Sequence, residues 1–397
     1  MAPQHPSSAP RRADRMAACA HDAAGAVDAS GRSDLPSGVS VAAALRRFAM
    51  RGGDRPRLAA ARAAYRAAMK ALIARRYGGP DQLAIVERPE PEVGPRDVLI
   101  AVRAASVNPL DAKIRDGKVK LVLRLAPPVA LGCDVAGVVE RVGAEVTRFQ
   151  PGDEVFARLE KLRMGGIAER VAANEHVVAA KPARASFEQA AAIPLVGLTS
   201  LQALREAAAL RPGQHVLIHA GAGGVGSHAI QVAKILDLQV TATTSTKNID
   251  FVRQLGADAV VDYTQREPLP TGLDAVFDSL GGSSELASLA AVARGGVVVG
   301  IGGLPDLAFA RDHMAALVRP AIWLATARRR RAAARTGARF VFLFMRPDGA
   351  QLAELAAWVD AGRLRPVVHR SYPFADVREA FAELERGHAR GKIVVTM

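Results

Sequence analysis

A glycine-rich loop at residues 221–226 carries the clearest chemical signal in the sequence. An apolar, strand-like stretch at residues 215–220 runs directly into it, and a helical pattern follows. Glycine permits a tight turn here and lets backbone amides approach a pyrophosphate at the positive N-terminus of the helix. A strand before the loop and a helix after it are the context of a dinucleotide site. The residues predicted to bind the cofactor in this loop are Gly221, Gly223, Gly224, Val225 and Gly226.

The end of the next predicted strand favours NADPH over NADH. A site for NADH places Asp or Glu about twenty residues beyond the glycines, where it bonds the ribose 2′-hydroxyl. Here the strand ends in hydroxyl side chains, Ser245 among them, and Lys247 follows without any acid. Hydroxyls and a lysine suit a 2′-phosphate, whose charge a carboxylate would repel. We therefore predict NADPH, with the alternative that Lys247 only begins a helix in solvent.

Two other kinds of catalytic site find no support in the sequence. A short-chain dehydrogenase needs a Tyr-x-x-x-Lys pair, and none of the four tyrosines has lysine at that spacing. A catalytic zinc needs about three Cys, His or carboxylate ligands, and Cys133 and Asp134 have no further Cys or His at suitable spacing. The only other cysteine is Cys19, so a disulfide framework is excluded and a reducing, cytoplasmic setting is expected. We predict zinc-independent chemistry, with Cys133 as a small buried core residue.

The elements that must position these residues change in character at about residue 186. Before it, short strands alternate with Gly and Pro turns, which is typical of an all-β unit. After it, apolar strands alternate with helical patterns, which is typical of a parallel sheet covered on both faces. The tail ends in a further strand that we expect to rejoin the first unit. The predicted strands are 69–75, 83–87, 97–104, 134–142, 155–156, 168–171, 177–179, 216–220, 239–243, 259–262, 275–278, 296–300 and 392–395, and the clearest predicted helices are 227–236 and 248–255.

Residues 1–68 differ from the rest of the chain. They are rich in Ala, Arg, Ser and Pro and show no sustained period before about Val41. Such a composition cannot bury enough apolar surface to offset chain entropy, so we expect a disordered extension, or an over-extended leader to a chain that functionally starts at Met69. Five aspartates among its eleven arginines argue against a mitochondrial transit peptide.

The formal net charge of +14 raises the question of a polyanionic partner. The basic residues are not interleaved with aromatic ones, as they are in platforms for single-stranded nucleic acid, so we expect no nucleic-acid partner. No run of eighteen apolar residues occurs, and we expect no membrane partner. The sequence leaves open whether the four arginines at 328–331 contact a partner or form a solvated helix face.

Several motifs in order make the chain resemble the zinc-free quinone oxidoreductase branch of the medium-chain dehydrogenase/reductase superfamily. The resemblance runs from Met69 to Met397. The motifs that carry it lie at residues 77–80, 105–111, 132–137, 152–156, 197–200, 220–226, 255–258 and 387–394. Zinc-dependent relatives have Cys at the position of Asn108 and Gly-His-Glu at residues 132–134, so the resemblance also implies that no catalytic metal is used.

The resemblance implies an α/β fold in which one domain is inserted in another. A Rossmann domain with a doubly wound parallel sheet, residues 193–334, would interrupt a discontinuous, mostly β, GroES-like catalytic domain formed by residues 69–192 and 335–397. A homodimer is usual for such relatives and is expected here.

The resemblance assigns further residues to the site. Asn108 and Asp111 would line the active site near the nicotinamide, and Thr199 would approach its carboxamide. Loops after later strands would cover the nicotinamide, and the tail would reach the cofactor. The remaining assignments are Ser245, Lys247 and Tyr263 around the 2′-phosphate and adenine ribose, Leu280 and Gly302 over the nicotinamide half, and Lys392 near the cofactor.

These residues support the hypothesis of hydride transfer from NADPH to a quinone or an α,β-unsaturated carbonyl. The Asn108 amide could stabilise the negative charge that builds on the substrate oxygen, although an asparagine before proline also caps turns. One alternative is an enoyl-thioester reductase or a reductase of lipid-derived enals. The other is a protein of the same fold that binds NADPH or RNA without turnover.

Overall fold

The first eight strands form an antiparallel β unit. A computed structural model describes residues 68–397, so the predicted leader lies outside the described residues except for Ala68, which begins the first strand. β1 pairs with β2 and β4 in a three-stranded sheet, and the other strands enter a seven-stranded sheet. The strands are β1 (Ala68–Ala74), β2 (Leu83–Pro89), β3 (Asp97–Val107), β4 (Val129–Ala130), β5 (Asp134–Val142), β6 (Glu154–Arg158), β7 (Arg170–Asn174) and β8 (Val178–Ala180).

Six parallel strands follow and build a separate, third sheet. Its central strands are buried on both faces, as parallel strands between helical layers are; Val216, Leu217 and Ile218 are fully buried. The order β11-β10-β9-β12-β13-β14 is the 3-2-1-4-5-6 order of a doubly wound sheet, which binds dinucleotides where the order reverses. The strands are β9 (His215–Ile218), β10 (Gln239–Thr244), β11 (Ala259–Asp262), β12 (Leu273–Asp278), β13 (Val292–Gly300) and β14 (Arg339–Phe342).

The last two strands, β15 (Val368–Pro373) and β16 (Lys392–Thr396), return to the first unit. β16 pairs antiparallel with β3, so that Ile393 lies opposite Val107. The predicted architecture, a Rossmann domain inserted in a discontinuous β domain, is confirmed. The strand pairing brings the start of β16 to the end of β3, where the candidate site begins.

Eleven α-helices connect these strands within residues 68–397. None of them is long and apolar enough to cross a membrane. A π-helical turn, Gln202–Ala207, directly continues α3. The helices are α1 (Pro109–Arg115), α2 (Phe187–Ala191), α3 (Pro194–Leu201), α4 (Gly224–Ile235), α5 (Ile249–Gln254), α6 (Ser284–Ala291), α7 (Leu307–His313), α8 (Arg319–Ala325), α9 (Ala327–Thr336), α10 (Gly349–Asp360) and α11 (Val377–Arg386).

One predicted boundary is wrong. The Rossmann domain does not end at residue 334, because β14 pairs in parallel with β13, with Val297 opposite Arg339 and Gly300 opposite Phe342. The sixth strand has only four residues and comes directly after an arginine-rich helix, so it gives no distinct alternation. β13 is also longer than predicted and begins at Val292.

Candidate active site

Asn108 lies at the junction of β3 and α1. It precedes Pro109, which suits the first position of a helix because the missing N–H has no helical partner there. The backbone N–H of Asn108 donates to Asp111 Oδ2 at 2.9 Å, and the backbone N–H of Gly132 donates to Asp111 Oδ1 at 2.9 Å. Burial raises the pKa of Asp111 to about 6 against the opposing effect of these two bonds. Asp111 therefore holds the start of α1 against the loop before β5.

The Asn108 side chain is the centre of a buried hydrogen-bond cluster. Its Nδ2 donates to Asp134 Oδ2 at 2.9 Å, with the Ser106 carbonyl at 3.3 Å and Cys133 Sγ at 3.4 Å. Its Oδ1 accepts a 2.5 Å bond from Lys392 Nζ. Both N–H groups of the amide thus have protein partners, whereas the sequence-based hypothesis gave one of them to the substrate. In this geometry the Asn108 side chain links β16 to the loop that precedes β5.

Asp134 joins this cluster to the Rossmann side of the site. Its Oδ2 also accepts a 2.8 Å bond from the Ser106 hydroxyl, and its Oδ1 accepts the Leu195 N–H at 3.0 Å, at the start of α3. Cys133, the neighbouring residue, is fully buried, and burial raises the pKa of its thiol. A carboxylate with these donors fixes where α3 begins, and no sequence motif assigned that role to Asp134.

Lys392 links the cluster to the glycine loop. Its ammonium also donates to the Val107 carbonyl at 2.9 Å, and burial lowers the pKa of this buried side chain. A Cβ on Gly224 would lie 3.0 Å from Lys392 Cδ, and Gly391 forms an isolated bridge with Gly223. The tail of the catalytic domain thus contacts the loop that was predicted to bind the cofactor.

The glycine loop itself fits the pyrophosphate of a dinucleotide. Ala220 has a left-handed φ of 52°, which turns the chain from β9 toward α4. A Cβ on Gly226 would lie 2.2 Å from the Ala220 carbonyl oxygen, and one on Gly221 would lie 3.0 Å from Ala242 Cβ. Val225 is the second residue of α4. Backbone N–H groups at this helix start are the groups that bind phosphate oxygens.

Residues predicted for the adenine end gather after β10 and β11. Ser245 is buried and Lys247 and Tyr263 are exposed. Arg390, which the sequence reasoning missed as a site residue, donates from Nε to Asn248 Oδ1 at 2.6 Å and from Nη2 to the Lys247 carbonyl at 2.7 Å. The end of β10 therefore carries two cations within one short segment of surface.

Residues predicted for the nicotinamide end lie on two loops and a helix. Leu280 donates its N–H to Asp278 Oδ1 at 2.9 Å, which shapes the loop after β12. A Cβ on Gly302 would lie 3.0 Å from the Leu280 carbonyl oxygen, so the loops after β12 and β13 stack backbone against backbone. Thr199 is buried on α3, where its hydroxyl donates to the Leu195 carbonyl at 2.6 Å.

A cavity of about 520 Å³ is lined by residues of both domains, and none of the predicted site residues is among them. Its wall includes Leu123 from the catalytic domain, Phe309 on α7 and Phe344, two residues after β14. Lys161 Nζ lies 3.9 Å from the centroid of the Phe344 ring. Burial, reinforced by the charge of Arg158, lowers the pKa of Lys161 to about 8.

The donor atoms around Asn108 do not fit a zinc ion. Within residues 68–397 no group of three His, Cys, Asp or Glu side chains could hold a metal. Asp134 already accepts bonds from Asn108 and Ser106, and Lys392 places a cation beside them. The Lys392 ammonium would repel a second cation at this point.

Two family models match the chain on either side of the glycine loop. Residues 94–183 match the alcohol dehydrogenase GroES-like domain, and residues 255–395 match the zinc-binding dehydrogenase family. The mouse mitochondrial NAD(P)H oxidoreductase RTN4IP1 is 35% identical over 328 residues, which are 76% of this chain and 82% of that protein. The chain belongs to the quinone oxidoreductase branch of the medium-chain dehydrogenase/reductase superfamily.

Two more relatives in this superfamily agree with that assignment. The chloroplastic NADPH-dependent alkenal/one oxidoreductase of Arabidopsis thaliana is 36% identical over 340 residues, 82% of this chain and 79% of that one. The quinone oxidoreductase from Coxiella burnetii superposes with a TM-score of 0.73 at 32% identity, covering 83% of this chain and 99% of that one. This medium-chain reductase is an oxidoreductase that uses a nicotinamide cofactor.

Proposed function

We propose that the protein is an NADPH-dependent, zinc-independent reductase that transfers hydride to quinones or α,β-unsaturated carbonyls. One observation carries the proposal: Lys392 contacts the glycine loop through its methylenes and the Asn108 amide through its ammonium. The cofactor loop and the buried polar cluster are therefore two sides of one site.

The cations after β10 support NADPH over NADH. Ser245 and Lys247 follow the strand, and Arg390 is held beside them by two hydrogen bonds. A 2′-phosphate carries about two negative charges and accepts several charge-assisted hydrogen bonds, whereas a ribose 2′-hydroxyl offers neither. Two cations at this position therefore favour the phosphorylated cofactor.

The cavity supports an acceptor that has an apolar part and a polar part. Phe309, Phe344 and Leu123 in its wall suit a planar ring or an alkenyl chain, and Glu160, Lys161, Arg163 and His313 supply polar groups. Relatives at 32–36% identity are named for quinones and for alkenals or alkenones. Both acceptor classes share an electrophilic carbon conjugated to a carbonyl oxygen.

The bound nicotinamide would supply the hydride, and the protein would supply position and charge. The loops carrying Leu280 and Gly302, together with Thr199 on α3, would hold the nicotinamide half. Asn108 and Asp111 position the end of β3 and keep the ammonium of Lys392 in place. We infer that this buried ammonium, whose side chain contacts the glycine loop, would stabilise negative charge on the substrate oxygen in a medium of low dielectric constant.

We also propose a cytoplasmic homodimer. Among the described residues β14 is the outer strand of the parallel sheet and pairs only with β13. An unpaired strand edge is a ready template for pairing with a second copy. Sedimentation velocity of the full chain would give the stoichiometry.

The function is tested by following NADPH and NADH oxidation with a panel of quinones, enones and enoyl thioesters after dialysis against a chelator. We expect rapid oxidation of NADPH by quinones or enones and slow oxidation of NADH. Adding zinc to the dialysed protein should not increase the rate of NADPH oxidation. Reduction of thioesters alone would support the enoyl-thioester alternative. Tight NADPH binding without oxidation by any acceptor would overturn the enzymatic proposal.

A further inference from the structure

We propose that the segment 316–335 docks on an anionic phospholipid membrane. This segment includes α8 and α9. This inference goes beyond the reductase reaction and revises the sequence-based expectation that no membrane is a partner. It rests on exposed apolar side chains, on unpaired arginines and on their arrangement along the two helices.

The apolar side chains of this surface are unusually exposed. Leu317 is 94% exposed and Leu324 is 70% exposed, the two highest values for large apolar side chains among residues 68–397. Trp323 is 54% exposed. Single exposed apolar side chains are ordinary, but three within eight residues mark a surface that meets an apolar environment.

Three exposed arginines share one face of α9. Thr326 separates this helix from α8, because it is the C-cap of α8 and the N-cap of α9. Arg328, Arg331 and Arg335 follow one another at spacings of three and four residues, which places them on one helix face.

These three arginines have no acidic residue close to them in the sequence. Residues 313–347 contain eight arginines and no Asp or Glu. In the part of the chain that the structure describes, exposed Arg328, Arg331 and Arg335 make no ion pair within 4.0 Å. Arg329 differs, because it is buried and pairs with Glu285 at 3.0 Å. Only one of the four arginines at 328–331 therefore has its charge neutralised within the fold.

Trp323 and Arg330 form the combination that suits a lipid headgroup region. The Arg330 guanidinium lies 4.6 Å from the centroid of the Trp323 ring and donates to the Trp323 carbonyl at 2.8 Å. Indole rings prefer the boundary between headgroups and acyl chains, where arginine meets phosphate. Leu317 and Leu324 would then insert into the acyl chains.

Charge and side-chain chemistry favour a membrane over other occupants. A two-fold contact between copies would set this arginine-rich surface against itself, with like charges opposed. Nucleic acid would satisfy the arginines but would leave Leu317 and Leu324 without apolar partners, since aliphatic side chains do not stack on bases. An anionic bilayer satisfies both groups at once.

The surface adjoins the cavity. Ile322 of α8 packs in one buried cluster with Phe309 and Met314, and Phe309 also lines the cavity. An acceptor dissolved in the bilayer would therefore have a short path from the acyl chains to this cavity, which we propose as the place where the acceptor binds. This last step rests on the proposed function, whereas membrane docking does not.

Vesicle sedimentation of the full chain tests the docking. We expect binding to phosphatidylcholine vesicles that contain phosphatidylglycerol, and little binding to phosphatidylcholine alone. Arg328→Gln, Arg331→Gln and Arg335→Gln combined should weaken the partition about a hundredfold, because each arginine near an anionic surface contributes about one factor of five. A matched triple variant at the exposed residues Arg75, Arg76 and Arg88 loses the same charge elsewhere and should bind normally.

Tryptophan fluorescence reports which surface is in contact. The chain has two tryptophans, so Trp358→Phe leaves Trp323 as the only indole. We expect its emission to shift to the blue and to be quenched by brominated lipid, while Trp323→Phe, which keeps Trp358, shows neither change. Leu317→Ser with Leu324→Ser should reduce the shift.

Three results would overturn the docking proposal: no binding of the wild type to anionic vesicles, equal binding by the two triple variants, or a dimer that Leu324→Ser dissociates without any effect of lipid. Duplex or RNA binding that only the first triple variant loses, in the absence of vesicle binding, would assign the surface to nucleic acid. None of these assays requires turnover, so a failure here is separate from a failure of the proposed reductase activity.

Discussion

Lys392 Nζ and Asn108 Oδ1 are 2.5 Å apart although 284 residues separate them in the chain. The bond crosses from β16, at the C-terminus, to the junction of β3 and α1. It also orients the Asn108 amide, because an oxygen facing the ammonium leaves the NH2 group facing Asp134. The candidate site is therefore assembled only when the last strand of the protein is in place.

Removing either partner of this bond should lower kcat, and removing both partners should lower kcat only slightly further. We expect Lys392→Met and Asn108→Ala each to reduce kcat at least about tenfold, with a coupling free energy of about 1–3 kcal/mol in the double-mutant cycle. NADPH affinity should change less than kcat. Full additivity of the two effects, or an unchanged kcat for Asn108→Ala, would contradict this role.

Asp111 should make stability depend on pH. Its pKa is about 6 in the fold against 3.8 in the unfolded chain, so the folded state binds more protons between these values. Stability from this group is therefore greatest at low pH and is lost as the pH rises through about 4 to 6. Urea unfolding of the wild type and of Asp111→Asn at pH 5 and pH 7 measures this change in the free energy of unfolding.

The Asp111→Asn variant should also be less stable at both pH values. Both carboxyl oxygens accept backbone N–H groups, and the amide would set its own N–H donors against one of them, at a cost of about 1–3 kcal/mol. The wild type should lose stability relative to the variant as the pH rises. A constant difference between the two proteins would mean that Asp111 does not titrate in this range. Asp81→Asn, at an exposed residue, is the matched control.

Arg390 and Lys247 should determine the choice of cofactor. We expect Arg390→Gln and Lys247→Gln each to raise KM for NADPH about 10–100-fold, because each removes a charge-assisted bond to phosphate. KM for NADH should stay nearly unchanged. Arg253→Gln, an exposed arginine on α5, should alter neither value. Equal effects on both cofactors would show that these residues do not contact a 2′-phosphate.

Lys161 should give acceptor binding a pH dependence. Its ammonium lies over Phe344 in the cavity wall, and its pKa is about 8. The cation is present below that pH and is lost above it, so KM for a carbonyl or quinone acceptor should rise as the pH passes about 8. Lys161→Met should show a flat profile, and Lys120→Met, at an exposed lysine, should keep the wild-type profile.

The sequence predicts the Rossmann sheet well because its signals are local. The strand at β9, the glycine loop and α4 lie within about twenty consecutive residues, and each has its own pattern. β14 was assigned to the wrong domain because it begins a continuous apolar run at residues 340–345, which indicates a strand but not the sheet that the strand joins. The resemblance to a family supplied the order of the domains.

The polar contacts of the site could not be predicted in the same way. Asn108 bonds Asp134 across 26 residues, Arg390 bonds Asn248 across 142, and no spacing rule connects such pairs. Asp134 was considered only as a metal ligand, and Arg390 only as part of a tail motif. Their roles follow from strand pairing, which sets β16 beside β3 and β5 beside β3.

The buried thiol of Cys133 affects how the site would tolerate the acceptors proposed above. Quinones and enones are Michael acceptors that alkylate thiolates, so such acceptors would consume a thiolate beside the site. Burial keeps this sulfur protonated, and the protonated thiol is a poor nucleophile. With the proposed acceptors, a buried cysteine at this position would therefore escape alkylation that an exposed thiolate would undergo.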